Sequence, residues 1–130
     1  MKHLAVFKGE GVGLILNGKK TVESRFSKRK NVPFLQISAG DLVYIKPSGK
    51  DIIGQFRVKK VIFYDGLTDE DVEQIKKSFG DAIAQPNEYW ESKIGSKYGT
   101  LIFIGEVDPF ITAPIKISKK DLRGWVVLNN

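Results

Sequence analysis

The stretch GKKTVESR, residues 18–25, decides the fold prediction and locates the candidate site. It follows a short apolar run, residues 14–16, which ends at Asn17 and Gly18, a pair that commonly stops a helix. From Lys20 to Phe26 the residue types alternate as they do in a β-strand. The stretch therefore predicts a helix, a tight turn and a strand in immediate succession.

Alternation along this strand predicts that Thr21, Glu23 and Arg25 share one face, with Lys20 at the strand entrance. Glu23 could then pair with Arg25 or Lys20, or accept a hydrogen bond from a ligand. The remaining positive charge would bind a phosphate or a base edge. The simpler interpretation is a ladder of ion pairs between neighbouring strands.

The rest of the chain predicts more strands than helices. A helix capped by Thr68 is expected to run to about Phe79, and a second helical or irregular stretch covers residues 86–94. Strands are expected at residues 4–7, 42–45, 52–64, 98–107, 111–117 and 125–128, with one capped turn at residues 118–121. This pattern predicts an α+β fold, a small curved mixed sheet or barrel flanked by helices, as one domain over residues 1–130.

Positive charge is concentrated in the first half of the chain. The 130 residues carry a net charge of +6, but residues 1–60 hold 13 Lys and Arg against 4 Asp and Glu. Residues 61–130 hold 8 against 11. A local positive field favours polyanions, so RNA or a nucleotide-like small molecule is the expected partner.

Several classes of site are excluded by composition. The chain has no cysteine and one histidine, His3, which rules out disulfides, thiolate zinc sites and multi-histidine sites within one chain. No spacing of carboxylates indicates a metal site, and we expect no cofactor. No apolar run reaches the length of a membrane span, so the expectation is a soluble, cytoplasmic protein without a membrane partner. The sequence does not indicate an oligomeric state.

The helix stop at Asn17 and Gly18, followed by Lys20, Thr21, Glu23 and Arg25, resembles the signature of the ASCH domain family. Residues 40–43 and 53–56 resemble the next strands of that family. The resemblance implies a PUA-like β-barrel with a cleft between the motif strand and a neighbouring helix. It also implies RNA binding or a role in RNA metabolism, with the four motif side chains around the cleft.

Some small ASCH proteins are amidohydrolases that deacetylate N4-acetylcytidine with a lysine, a threonine and a later glutamate. Lys20 matches that lysine, but the threonine aligns with Glu23, and the glutamate falls near Ile75 with Glu73 out of place. A carboxylate cannot replace the hydroxyl in that mechanism. An enzyme would need a different arrangement, with Lys20 essential, Glu23 as acid or base, and Thr21 or Ser24 as nucleophile.

The leading hypothesis is therefore a noncatalytic RNA- or nucleotide-binding module, and an amidohydrolase for a modified nucleoside is the alternative. Phosphate is expected to contact Lys20, Arg25, Lys28 and Arg29, of which the last two lie in a basic loop after the motif strand. Trp90 is expected to stack on a base. Reversing the charges of Lys20 and Arg25 should then abolish binding and leave the fold intact.

Overall fold

The computed structural model of the protein describes residues 1–110 and 123–128. Six strands and three helices lie in these ranges, in the order β1 (Lys2–Phe7), α1 (Gly11–Leu16), β2 (Val22–Ser27), β3 (Leu42–Pro47), β4 (Gly54–Asp65), α2 (Asp69–Ile83), α3 (Asn87–Ser92), β5 (Tyr98–Pro109) and β6 (Trp125–Leu128). The strand expected at 111–117 and the turn expected at 118–121 lie outside the described residues. Among the described residues, no helix is long and apolar enough to span a membrane.

The strands form one mixed sheet in the order β2-β5-β4-β3-β1-β6. Only β1 and β3 run parallel, and the other four pairings are antiparallel. The sheet curls into a half-barrel, which confirms the predicted α+β fold with a small curved mixed sheet. The strands expected at residues 42–45 and 52–64 are present as β3 and β4, which pair as an antiparallel hairpin.

Curvature of the sheet arises where β4 meets β5. The register shifts between Phe56 and Val58 and again between Val58 and Lys60, and such bulges bend a strand and increase its twist. Opposite them, a Cβ at Gly105 would lie 2.7 Å from the carbonyl oxygen of Arg57. Glycine is required here because the two backbones approach too closely for a side chain.

Helix α2 begins as predicted at the cap residue Thr68. The Thr68 hydroxyl accepts a hydrogen bond from the Asp71 amide, and the Asp71 carboxylate accepts one from the Thr68 amide. The helix continues four residues past the predicted end, to Ile83, and closes with Ala84 in the left-handed conformation. This extension matters because it carries the Ile83 carbonyl to the motif.

Two apolar clusters fix which way the motif strand faces. Val22 and Phe26 pack with α2, α3 and Leu101 in one cluster, and a second cluster contains Phe7, Phe56 and Trp125. Side chains alternate along a strand, so Glu23 and Arg25 point away from α2. They face the end of β1.

Candidate functional site

The centre of the site is a buried carboxylate between two cations. Glu23 is 3% exposed. One of its oxygens, Oε1, lies 3.1 Å from Lys20 Nζ, and the other, Oε2, lies 2.9 Å from Arg25 Nε and 2.7 Å from Arg25 Nη2. The Ser24 amide also donates to Oε1 at 3.1 Å. The predicted pairing of Glu23 with Lys20 or Arg25 is present with both, and it lies within residues 20–25 rather than between strands.

The protonation of Glu23 follows from two opposing effects. Burial alone would raise the pKa of this carboxyl, because a charge is poorly solvated inside the protein. The positive charges of Arg25 and Lys20, and their hydrogen bonds, outweigh burial and hold the pKa below its ordinary value of 4.5. Glu23 is therefore ionised at neutral pH and pairs with both cations.

Lys20 is buried, although the sequence analysis expected it to contact phosphate. It lies just before β2, 1% exposed, where its amide donates to the Leu14 carbonyl at 2.9 Å. Its ammonium group donates to the Ile83 carbonyl at 2.5 Å as well as to Glu23. Two of the three N–H donors of an ammonium group are thus engaged by the protein.

Arg25 links the two edges of the sheet. From β2, at one edge, it donates to the Val6 carbonyl in β1 and to the Gly124 carbonyl before β6, each at 3.2 Å. The guanidinium also lies 5.1 Å from the ring centroids of Phe7 and Trp125. Four of the five N–H groups of Arg25 therefore have partners. These contacts close the half-barrel, and the expected contact of Arg25 with phosphate stays a prediction.

Thr21 does not join the cluster. The strand begins at Val22, and Thr21 precedes it with an exposed side chain. Its amide donates to the Ala82 carbonyl and its carbonyl accepts from Ile104, each at 2.9 Å. Its side chain makes none of the contacts described for Glu23 and Arg25, while its backbone already pairs with β5 through Ile104, so the expected part of Thr21 in the site stays a prediction.

A cavity of about 390 Å³ lies beside the cluster, between β2, the end of β1 and α3. We call it the motif cleft. It is lined by Val6, Phe7, Lys8, Glu23, Ser24, Arg25, Phe26, Gln85, Tyr89, Lys93 and Gly124. Three cations thus surround one carboxylate that is already paired. The volume of the cleft lies in the range of small-molecule sites, and its lining is more polar than is usual for them.

Tyr89 and Lys93 of the motif cleft interact with each other and with Ser24. Ser24 Oγ lies 2.6 Å from the Tyr89 hydroxyl, which also donates to the Ser24 carbonyl at 3.1 Å. Burial, reinforced by the charge of Glu23, raises the pKa of Tyr89, so the hydroxyl stays protonated. Tyr89 therefore provides no base to activate Ser24.

Lys93 lies over the Tyr89 ring, with Nζ 5.0 Å from the ring centroid. Partial burial lowers the pKa of Lys93, and the positive charge of Arg25 lowers it further, against the opposing charge of Glu23. An anion in the cleft would relieve the repulsion between Lys93 and Arg25. Arg25 and Lys93 therefore repel each other across this part of the motif cleft.

A second cavity, of about 420 Å³, continues from the motif cleft across Lys8 and Gln85, which line both. We call it the lysine pocket, since Lys20 forms part of its wall together with the loop from Gly9 to Gly11. The ammonium group of Lys20 is thus buried against protein yet borders a cavity. A ligand that spans both cavities would meet Lys8 in the middle.

The predicted ligand contacts in the basic loop are exposed, whereas the predicted contact Trp90 is buried. Lys28 and Arg29 are exposed, as a role in phosphate binding requires. Trp90 is 4% exposed and packs against Phe26, with ring centroids 6.1 Å apart. The predicted stacking of Trp90 on a base is wrong, because its faces are covered by the core. Tyr89, its half-buried neighbour, is the aromatic residue that borders the cleft.

Sequence reasoning missed Lys8 and Gln85, which lie between the two cavities. Lys8 directly follows β1, and Gln85 lies in the link between α2 and α3. No motif marks either residue, and only the fold brings them together. In the parts of the chain that the structure describes, no group of three or more His, Asp or Glu residues is placed to hold a metal ion.

Comparison with known proteins gives a family and a fold. The sequence model of the ASCH domain matches residues 8–106. The structure is similar to that of ASCH from Zymomonas mobilis, with a TM-score of 0.65 and 18% identity over 83% of this chain and 69% of that chain. A serine-to-alanine variant of the Zymomonas protein aligns over 98% of this chain and 88% of that one, with a TM-score of 0.71 and 16% identity.

A protein from Enterococcus faecalis V583 shares the fold with a TM-score of 0.58 and 15% identity, over 89% of this chain and 86% of that chain. No curated protein matches the sequence significantly. At these identities the solved structures establish the fold alone.

Proposed function

Because this chain belongs to the ASCH domain family, a PUA-like fold family associated with RNA binding, we propose that its motif cleft binds RNA or a nucleotide-like anion. The observation that carries the proposal is the set of three cations, Lys8, Arg25 and Lys93, around the half-buried ring of Tyr89. Phosphate requires positive charge, and a base requires an aromatic or apolar surface. The motif cleft offers both within one cavity.

In this proposal the phosphate is held mainly by Lys8 and Lys93. Lys8 is exposed and borders both cavities, and Lys93 already experiences the repulsion of Arg25. Arg25 adds its charge and its remaining N–H group. Glu23 orients Arg25 and Lys20 and does not contact the ligand phosphate, since a carboxylate would repel it. Lys28 and Arg29 extend the positive field along the loop.

Replacing Lys8 by glutamate is expected to weaken binding of a fluorescent single-stranded RNA about tenfold or more at low salt. The change removes one phosphate contact, so the slope of log affinity against log salt should also fall by about one. Fluorescence anisotropy at several salt concentrations measures both quantities. The exposed position of Lys8 means that the fold should tolerate the change.

The matched control is Lys77→Glu, which alters net charge equally but lies on the exposed surface of α2. Equal losses in the two variants would indicate general attraction by net charge and contradict a role for the motif cleft. Reversal of Lys20 and Arg25 is unsuitable as a test. Both hold the fold through Ile83, Val6 and Gly124, so lost binding would not report on contacts with RNA.

The second candidate function is amide hydrolysis on a modified nucleoside such as N4-acetylcytidine. It is favoured by one observation, the contact of Lys20, which lines the lysine pocket, with Glu23, which lines the motif cleft. Against it, Ile75 is buried in the core and Glu73 is exposed on α2, where neither lines the two cavities. The later glutamate of the hydrolase signature thus has no counterpart there.

Mass spectrometry of N4-acetylcytidine after incubation with the protein distinguishes the two functions. We expect no deacetylation above the rate in buffer. Turnover that disappears in a folded Lys20→Met variant would establish the enzyme instead and would contradict a purely binding role. Thermal unfolding of the variant shows whether it remains folded.

A further inference from the structure

A third cavity lies on the far side of Arg25 from the motif cleft. It has a volume of about 400 Å³, and we call it the loop pocket because the basic loop after β2 borders it. Arg25, Phe26 and Gly124 line both this pocket and the motif cleft. The Arg25 guanidinium, held on the Gly124 carbonyl, is therefore the partition between two adjacent cavities.

The walls of the loop pocket suit a flat ring with polar edges. Tyr98 is half-buried and packs against Phe34, with ring centroids 5.3 Å apart, so its ring is held firmly in place. Asn31 is exposed at the same pocket, and its amide offers a donor and an acceptor. An aromatic ring beside an amide is the combination that stacks a base and recognises its edge.

Charge around the loop pocket matches a polyanion. Lys30 Nζ lies 5.6 Å from the centroid of the Tyr98 ring, and Lys28 and Arg29 are exposed on the same loop. Arg25, at the partition, is positioned where the phosphate between two bases would pass. Both cavities thus have an aromatic ring next to a lysine, Tyr89 with Lys93 and Tyr98 with Lys30.

We propose that the loop pocket is a second nucleobase subsite, so that the protein binds two consecutive nucleotides of a single strand with their linking phosphate at Arg25. This inference rests on the function proposed above and adds to it a minimum ligand length. A mononucleotide fills the motif cleft only. The second base contributes affinity through Tyr98 and Asn31.

The test compares three probes by isothermal titration calorimetry. They are uridine monophosphate, the dinucleotide pUpU, and an abasic analogue of pUpU whose second sugar carries no base. The last two carry the same phosphates, so their difference isolates the second base. We expect pUpU to bind about tenfold tighter than the abasic analogue, the order of magnitude of one stacked base. Tyr98→Leu and Asn31→Ala should each reduce that difference and leave the affinity for uridine monophosphate unchanged.

Equal affinity of the wild type for pUpU and the abasic analogue would overturn the second subsite and leave the proposed function standing. A difference that persists undiminished in both variants would also overturn it, because the base would then lie elsewhere. Binding of none of the probes, nor of longer single-stranded RNA, would remove the proposed function together with this inference. Asn31→Ala changes an exposed side chain, so one informative variant remains if Tyr98→Leu does not fold.

Discussion

Replacing Glu23 by alanine is expected to lower the free energy of unfolding by roughly 3–5 kcal/mol, the range found when one partner of a buried ion pair is removed. The variant leaves the buried ammonium group of Lys20 without its carboxylate and frees Arg25 from the contacts that orient it. Desolvation of an uncompensated charge causes most of the loss. Urea denaturation at neutral pH measures it.

Glu23→Gln is the matched variant, since it keeps the shape and removes the charge. Because the folded-state pKa of Glu23 is lowered, its ionised form stabilises the protein above the ordinary value of 4.5, and this stabilisation is lost as the pH falls through the lowered pKa. The difference in stability between wild type and Glu23→Gln should therefore shrink in acid. If Glu23→Ala lowered the free energy of unfolding by less than about 1 kcal/mol at neutral pH, the ion pairs of Glu23 would contribute no more than exposed ion pairs do.

Replacing Trp90 by alanine is expected to cost about 3–5 kcal/mol of stability, as truncation of a large buried aromatic residue does. Trp90 fills the cluster between α2, α3 and β2 and contacts Phe26 and Tyr89 through its ring. Thermal and urea unfolding of the variant check the result. The measurement also separates the packing role from the stacking role that the sequence suggested.

Tyr89→Phe is the control for Trp90, because it keeps the ring beside the cleft and removes only the hydroxyl bonded to Ser24. It should lose much less stability than Trp90→Ala. If Trp90→Ala instead had the same free energy of unfolding as the wild type and bound RNA more weakly, Trp90 would be a ligand contact and not a core residue.

Elements with local signals were predictable from the sequence. The cap at Thr68 and the strands β3 and β4 depend on neighbouring residues, and each was found close to where it was expected. The resemblance carried by residues 17–25 gave the family and the fold. Helix α1 is the local exception, since it includes Gly11 and Gly13, which the sequence suggested would lie before it.

The pairing of Glu23 with Lys20 and Arg25 was predictable, but the burial of Lys20 and the carbonyl partners of Lys20 and Arg25 were not, because those carbonyls are distant in sequence. Lys20 meets a carbonyl 63 residues away, and Arg25 meets one 99 residues away. No pattern within residues 18–25 indicates that these two carbonyls lie beside the motif side chains. The same holds for Trp90, since an aromatic residue looks alike in sequence whether it packs in the core or faces a ligand.

If a phosphate binds at Arg25 as proposed, the closure of the half-barrel by this residue couples ligand binding to the rigidity of the barrel. The guanidinium is shared between the carbonyls of Val6 and Gly124 and any phosphate that reaches it, so a phosphate that displaces those carbonyls must loosen the link between β2 and β1. By thermodynamic reciprocity, a barrel held more tightly at this seam binds such a phosphate more weakly. The Arg25 side chain would thereby make the strength of the strand contact and the affinity for phosphate depend on each other.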